Sequence, residues 1–101
     1  MKLLTKAILK QLPPLYAQEN EKDPMVYVKY FMQSFTWFMT EYDPIEKLFF
    51  GKVFSEMCPD GELGYTSLEE LESGKGQFGL GVERDLYFTP CPMSECSNPL
   101  K

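Results

Sequence analysis

The chain contains no histidine. A Ser-His-Asp or Cys-His triad, a histidine general base and every histidine-ligated metal site are thereby excluded. It also lacks any run near the roughly 18 apolar residues needed to span a bilayer. The opening, MKLLTKAILKQLPPLY, superficially resembles an export signal. Lys6 and Lys10 break its apolar stretch, however, and no small-residue cleavage site follows. Basic residues are scarce: ten Lys and Arg stand against fifteen Asp and Glu, a formal charge of −5. Bare nucleic acid is a poor ligand for such a chain, because phosphate binding rests on Lys and Arg. No internal repeat is present. These absences lead to the expectation of a cytoplasmic protein with no cofactor, no direct nucleic-acid ligand and no membrane.

Cysteine is sparse and odd in number. Cys58, Cys91 and Cys96 leave one thiol over if any pair forms, which fits reduced thiols. A zinc site on them would need a carboxylate as fourth ligand, and ordinary thiols are the plainer reading. Cys58 precedes Pro59, and no neighbouring cation or clear helix start lowers its pKa.

What is present is one domain's worth of chain. The 101 residues can bury a single core, and an aromatic content of 15% is too high for a disordered polymer. Thr5 is a candidate N-cap for a short helix carrying Leu4, Ile8 and Leu12 at helical spacing, and Pro13-Pro14 ends it. Residues 17–24 read as a polar loop. Met25–Gln33 and Phe35–Tyr42 are rich in β-branched and aromatic residues and predict two strands of a tight hairpin about Ser34. Both carry aromatics on both faces, so the sheet is expected to be covered twice or to use one face as an interaction surface. Asp43-Pro44 predicts a turn, and Lys47–Phe54 a third strand with Gly51 as a bulge. Glu62–Tyr65 leads into a short acidic helix, where Ser67 and Glu70 form a capping box. Arg84–Thr89 is the last predicted strand. The expected fold is α+β: an antiparallel meander of four to five strands with an N-terminal helix and a short acidic helix. Residues 1–90 form the domain, and residues 91–101 are expected to be a flexible tail. Tyr27, Phe31, Phe35, Trp37, Phe38, Phe49, Phe50 and Tyr65 are expected to be mostly core.

Gly74–Gly79 matches G-x-G-x-x-G, but it follows a helix and precedes a strand, the reverse of a dinucleotide-binding turn. A plain turn fits it better. Carboxylate pairs offer a second chemistry: Glu41 with Asp43, or Glu83 with Asp85, could act as acid and base in a small hydrolase if folding brought them together. A solvated rim of strand ends explains the same residues. Charge layout is the more informative feature. Residues 41–85 hold eleven acids and four bases, a net −7. Such a concentration serves solubility, or it steers the chain toward a basic partner.

The runs Leu3–Tyr16, Val28–Phe31, Trp37, Thr40–Pro44, Leu48–Gly51, Glu62–Tyr65, Ser67–Leu71 and Glu83–Phe88 together resemble a small bacterial family of unknown function. The resemblance spans almost the whole chain. It implies a short single-domain protein carried by plasmids, integrative elements or phages, and it assigns no catalytic residues. The expected function is that of a non-catalytic, acidic protein-binding module, a monomer or a homodimer. Its partner is expected to be a host protein or nucleoprotein with a basic surface. Glu41, Asp43, Glu46, Glu62, Glu69, Glu70 and Glu72 would form the docking surface. The most concrete version is an anti-defence inhibitor of the anti-CRISPR kind acting as a partial DNA mimic. An accessory factor in maintenance or transfer of a mobile element, and the carboxylate hydrolase, are the alternatives.

Overall fold

The computed structural model describes residues 2–74 and 81–96. The fold is α+β, as expected. Helix α1 covers Lys6–Gln11; the Thr5 hydroxyl caps it by accepting the Ile8 N–H at 3.2 Å. It ends where Leu12 turns extended before the two prolines. Seven strands follow: β1 Met25–Val26, β2 Val28–Met32, β3 Phe35–Asp43, β4 Leu48–Phe54, β5 Glu62–Ser67, β6 Glu83–Arg84 and β7 Cys91–Pro92. Helix α2, Leu68–Ser73, follows β5 directly through the anticipated capping box of Ser67 and Glu70. An antiparallel five-stranded sheet runs in the order β5-β4-β3-β2-β6, and β1 and β7 form a separate two-stranded ribbon.

Several boundaries differ from expectation, each for a physical reason. Met25–Gln33 is two strands rather than one. Tyr27 donates its N–H to the Met39 carbonyl, while Met25 and Val26 turn away to pair with β7. The last strand stops at Arg84 instead of running to Thr89. Asp85 forms an Asx turn there, its side chain accepting the Tyr87 N–H at 2.9 Å. Residues 62–67 form a full strand along β4, although Glu62 and Gly64 dilute its β signal. The register irregularity lies on β3 between Met39 and Glu41, not on Gly51. Gly51 permits it from across the ladder: a Cβ there would sit 2.1 Å from the Phe38 carbonyl oxygen and 2.7 Å from the Met39 Cα. The Gly-rich 74–79 stretch falls largely outside the described residues.

Both sheet faces are covered. The first carries Val28, Tyr30, Met39, Tyr42 and Phe49, packed under Leu3, Leu12 and Leu71 from the helical segments. The buried Tyr30 hydroxyl donates to the Leu3 carbonyl at 2.6 Å, so its polar end is satisfied. The second face buries Phe38 and Phe54 with Val26, under Phe88, Met93 and Cys96. The expected aromatic core is only partly right. Phe38 and Phe49 are buried, but Phe31, Phe35 and Tyr65 are exposed, and Tyr30, outside that set, is as fully buried as Phe49. Among the described residues no helix is long and apolar enough to cross a membrane.

Residues 91–96 belong to the fold, because β7 pairs with β1 and Ser94 grips Asp23. The Asp23 carboxylate accepts the Ser94 hydroxyl at 2.6 Å and the Ser94 N–H at 2.8 Å. Those bonds, the hydroxyl first, hold the Asp23 carboxyl below its ordinary 3.8. A depressed folded value means the tether contributes stability above the unfolded value and loses it as pH falls through the folded one. Amide protection over residues 93–96, relative to the intrinsic exchange rate at each pH, is therefore expected to fall on acidification below about pH 3.8. Asp23→Asn should remove that dependence, as hydrogen exchange followed by NMR would show.

Candidate functional site

The irregularity on β3 sets Glu41 opposite Phe50, on the second face of the sheet. Glu41 is only 4% exposed. Its two carboxylate oxygens accept the backbone N–H groups of Tyr16 at 2.9 Å and Gln18 at 2.7 Å. The Gln18 side chain continues the clasp: its amide nitrogen donates to the Met25 and Thr40 carbonyls, and its oxygen accepts the Met25 N–H. On the other side of Glu41, the Tyr42 N–H donates to the Pro13 carbonyl at 3.0 Å. A polar segment with no strand or helix of its own is thus fixed across the sheet. Tyr16 is held there at φ 72°, a left-handed backbone that non-glycine residues seldom adopt.

Fixing this segment creates a groove of about 470 Å³. Its floor is Phe50, Lys52, Leu63 and Tyr65 from β4 and β5; Tyr16, Glu19 and Met93 stand among its walls. The Phe50 and Tyr65 rings meet edge to face at 5.1 Å, and the Tyr65 hydroxyl donates to that of Tyr16 at 3.2 Å. The hydrogen bond to Tyr16, before burial, pushes the Tyr65 phenol upward. Ring faces, hydroxyls and flanking charges are groups that bind and orient a ligand. Among the described residues no three cysteine or carboxylate side chains gather to hold a metal ion.

The seven acids expected to act together separate into three places. Glu41 is withdrawn from the surface by the clasp, because a buried carboxylate needs both oxygens satisfied. Glu62 lies at the start of β5, beside Val53, where it accepts a hydrogen bond from the Cys58 thiol at 3.3 Å. That bond is the main reason the Cys58 pKa is raised. The other five sit at the opposite end of the sheet. Asp43 faces Leu48, and Leu48 faces Ser67, so the end of β3 and the start of α2 are two strand spacings apart, about 10 Å. Glu46 is in the turn between β3 and β4, and the Leu68 N–H donates to Lys47 of that turn at 2.9 Å. Glu69, Glu70 and Glu72 are exposed on α2. Burial first, then the charges of Glu72 and Asp43, push the Tyr42 hydroxyl upward. Among the described residues the single salt bridge is Lys29–Asp85 at 3.3 Å, and none of these five acids takes part in it.

A model of one protein family, described as a protein of unknown function (DUF2958), matches residues 3–98. The chain belongs to that family. No curated protein and no solved structure matches it. In this DUF2958 member, Tyr16, Glu41, Phe50 and Tyr65 come from four separate stretches of the chain and all line the groove. Three of the four carboxylates weighed as acid–base pairs are otherwise employed. Glu41 is in the clasp, Asp43 accepts the Ile45 N–H, and Asp85 binds Lys29.

Sequence reasoning missed the part played by Tyr16 and Gln18. Neither carries a signal within its own segment, since their partners lie 7 to 25 residues away. In the DUF2958 protein, Glu41→Ala strands two backbone donors, and Gln18→Ala strands the Met25 and Thr40 groups. Each is expected to cost about 1–3 kcal/mol, the range for polar groups left unpaired away from water. Urea denaturation would measure it, with Glu69→Ala as a near-neutral comparison.

Proposed function

We propose that the protein is a non-catalytic binding module that docks on a basic surface of a host protein or nucleoprotein. The docking surface is the acidic end of the sheet: Asp43, Glu46, Glu69, Glu70 and Glu72. The observation that carries this reading is the gathering of five carboxylates at one end, none of them in a salt bridge among the described residues, with Lys47 in the turn beside them. Such a field speeds encounter with a basic partner and disfavours acidic ones. It also occupies the place on that partner where phosphates would otherwise sit.

In its most concrete form the module is an anti-defence inhibitor of the anti-CRISPR kind. It is encoded by mobile DNA, acts in the cytoplasm and covers a nucleic-acid-binding surface of a defence complex. The resemblance stated above supplies the mobile-DNA setting, and the acidic end supplies the chemistry.

The test uses the immobilised full-length protein and a lysate of a bacterial host with an active defence system. Nucleic-acid-binding proteins are expected to be retained at low salt, released as salt rises and displaced by duplex DNA. Combined reversal of Glu46, Glu69 and Glu72 to Lys should lower retention on the order of tenfold. Glu62→Lys, at the far end, should leave it unchanged. Retention that ignores the triple reversal, or falls equally with Glu62→Lys, would contradict the assignment.

A further inference from the structure

Cys91 and Cys96 flank a single 3-10 turn, Met93–Glu95, and their sulfur atoms lie 3.4 Å apart. Both are half-buried free thiols. The turn is anchored on both sides. Cys91 pairs with Val26 in the β1–β7 ribbon, and Met93 donates its N–H to the Pro24 carbonyl at 2.8 Å. Ser94 grips Asp23 through two hydrogen bonds, and Cys96 packs against the core of Val26, Phe38 and Phe54. The two sulfurs are therefore held in contact by the fold. A disulfide needs about 2.0 Å between sulfurs, so a small closure of the turn suffices.

We propose that Cys91 and Cys96 form a reversible disulfide site, oxidised by a small-molecule disulfide such as oxidised glutathione. Cys91 attacks first as its thiolate, joining one half of the small disulfide and expelling the other half as a thiolate. Cys96 then attacks the Cys91 sulfur, closing the protein disulfide and expelling the second half. The two cysteine protons end on the two released small thiols, and the two electrons lost by the cysteines reduce the small disulfide. The order follows from the surroundings of the thiols. Burial first, then the hydrogen bond with Cys91, push the Cys96 thiol up to about 12, so it carries little thiolate. Once Cys91 is in the mixed disulfide, the thiol–thiol hydrogen bond is gone, and Cys96 keeps the Pro92 carbonyl at 3.7 Å as an acceptor. Cys58 is different in kind, since its sulfur faces the Glu62 carboxylate rather than a thiol. Because Met93 is both in the turn and in the groove wall, the bond would brace that wall.

The experiment treats the reduced full-length protein with oxidised glutathione, blocks remaining thiols with iodoacetamide and maps the peptides by mass spectrometry. The expected product is a Cys91–Cys96 cross-linked peptide with alkylation confined to Cys58, and dithiothreitol should then free the Cys91 and Cys96 thiols while Cys58 stays alkylated. Cys96→Ser should stop at a stable glutathione adduct on Cys91. The proposal is overturned if both cysteines remain as open to alkylation as Cys58. Separate glutathione adducts on the wild-type Cys91 and Cys96 would overturn it equally.

Discussion

The placement of the groove rests on one buried carboxylate. Glu41 costs desolvation energy where it stands, and the fold offsets that cost by aiming two backbone N–H groups at its two oxygens. Hydrogen bonds to an ionised acceptor are stronger than neutral ones, so the arrangement is stable although the segment it holds has no ladder of its own. Gln18 extends the same logic with a neutral amide that satisfies three backbone groups at once. Together they convert a polar stretch after a double proline into one wall of a defined cleft. The left-handed Tyr16 is the strain accepted in return, and it puts the Tyr16 hydroxyl next to that of Tyr65.

The clasp also divides the acids into structural and exposed groups. A buried carboxylate with both oxygens bound to backbone cannot reach a partner, which removes Glu41 from the electrostatic surface. Glu62 is set apart by the length of β5, five residue steps or about 17 Å from Ser67. What remains is a compact end of the sheet where a turn and a helix start are tied by the Leu68–Lys47 hydrogen bond. Negative charge in the first turn of α2 is itself favourable, because Glu69 and Glu70 face the positive end of the helix dipole. Stability and surface charge therefore favour the same residues at that end.

Local chemistry was readable from the sequence, and long-range pairing was not. Thr5 and Ser67 announce their helices because a cap acts within four residues. The β2–β3 hairpin is legible for the same reason, its strands joined by two residues and its β-branched and aromatic content dense. The β1–β7 ribbon is not, because Val26 and Cys91 are distant in sequence and each strand is only two residues long. Prolines near residue 91 suggested a loose tail, yet Asp23 and Pro24 supply the partners that hold residues 91–96. In the candidate site, the abundance of acids in residues 41–85 was visible, but their division was not. Glu41 and Asp43 are two apart in sequence, and the register irregularity at Thr40 with a segment 25 residues upstream decides which is buried.

The account depends most directly on the Glu41 carboxylate holding residues 16 and 18 in solution. Amide hydrogen exchange of the native full-length protein measures this residue by residue. The Tyr16 and Gln18 amides are predicted to exchange as slowly as interior amides of β3 and β4, although they lie in no strand or helix. Exchange at the rate of an open peptide, while the sheet stays protected, would contradict the clasp and remove the groove built on it.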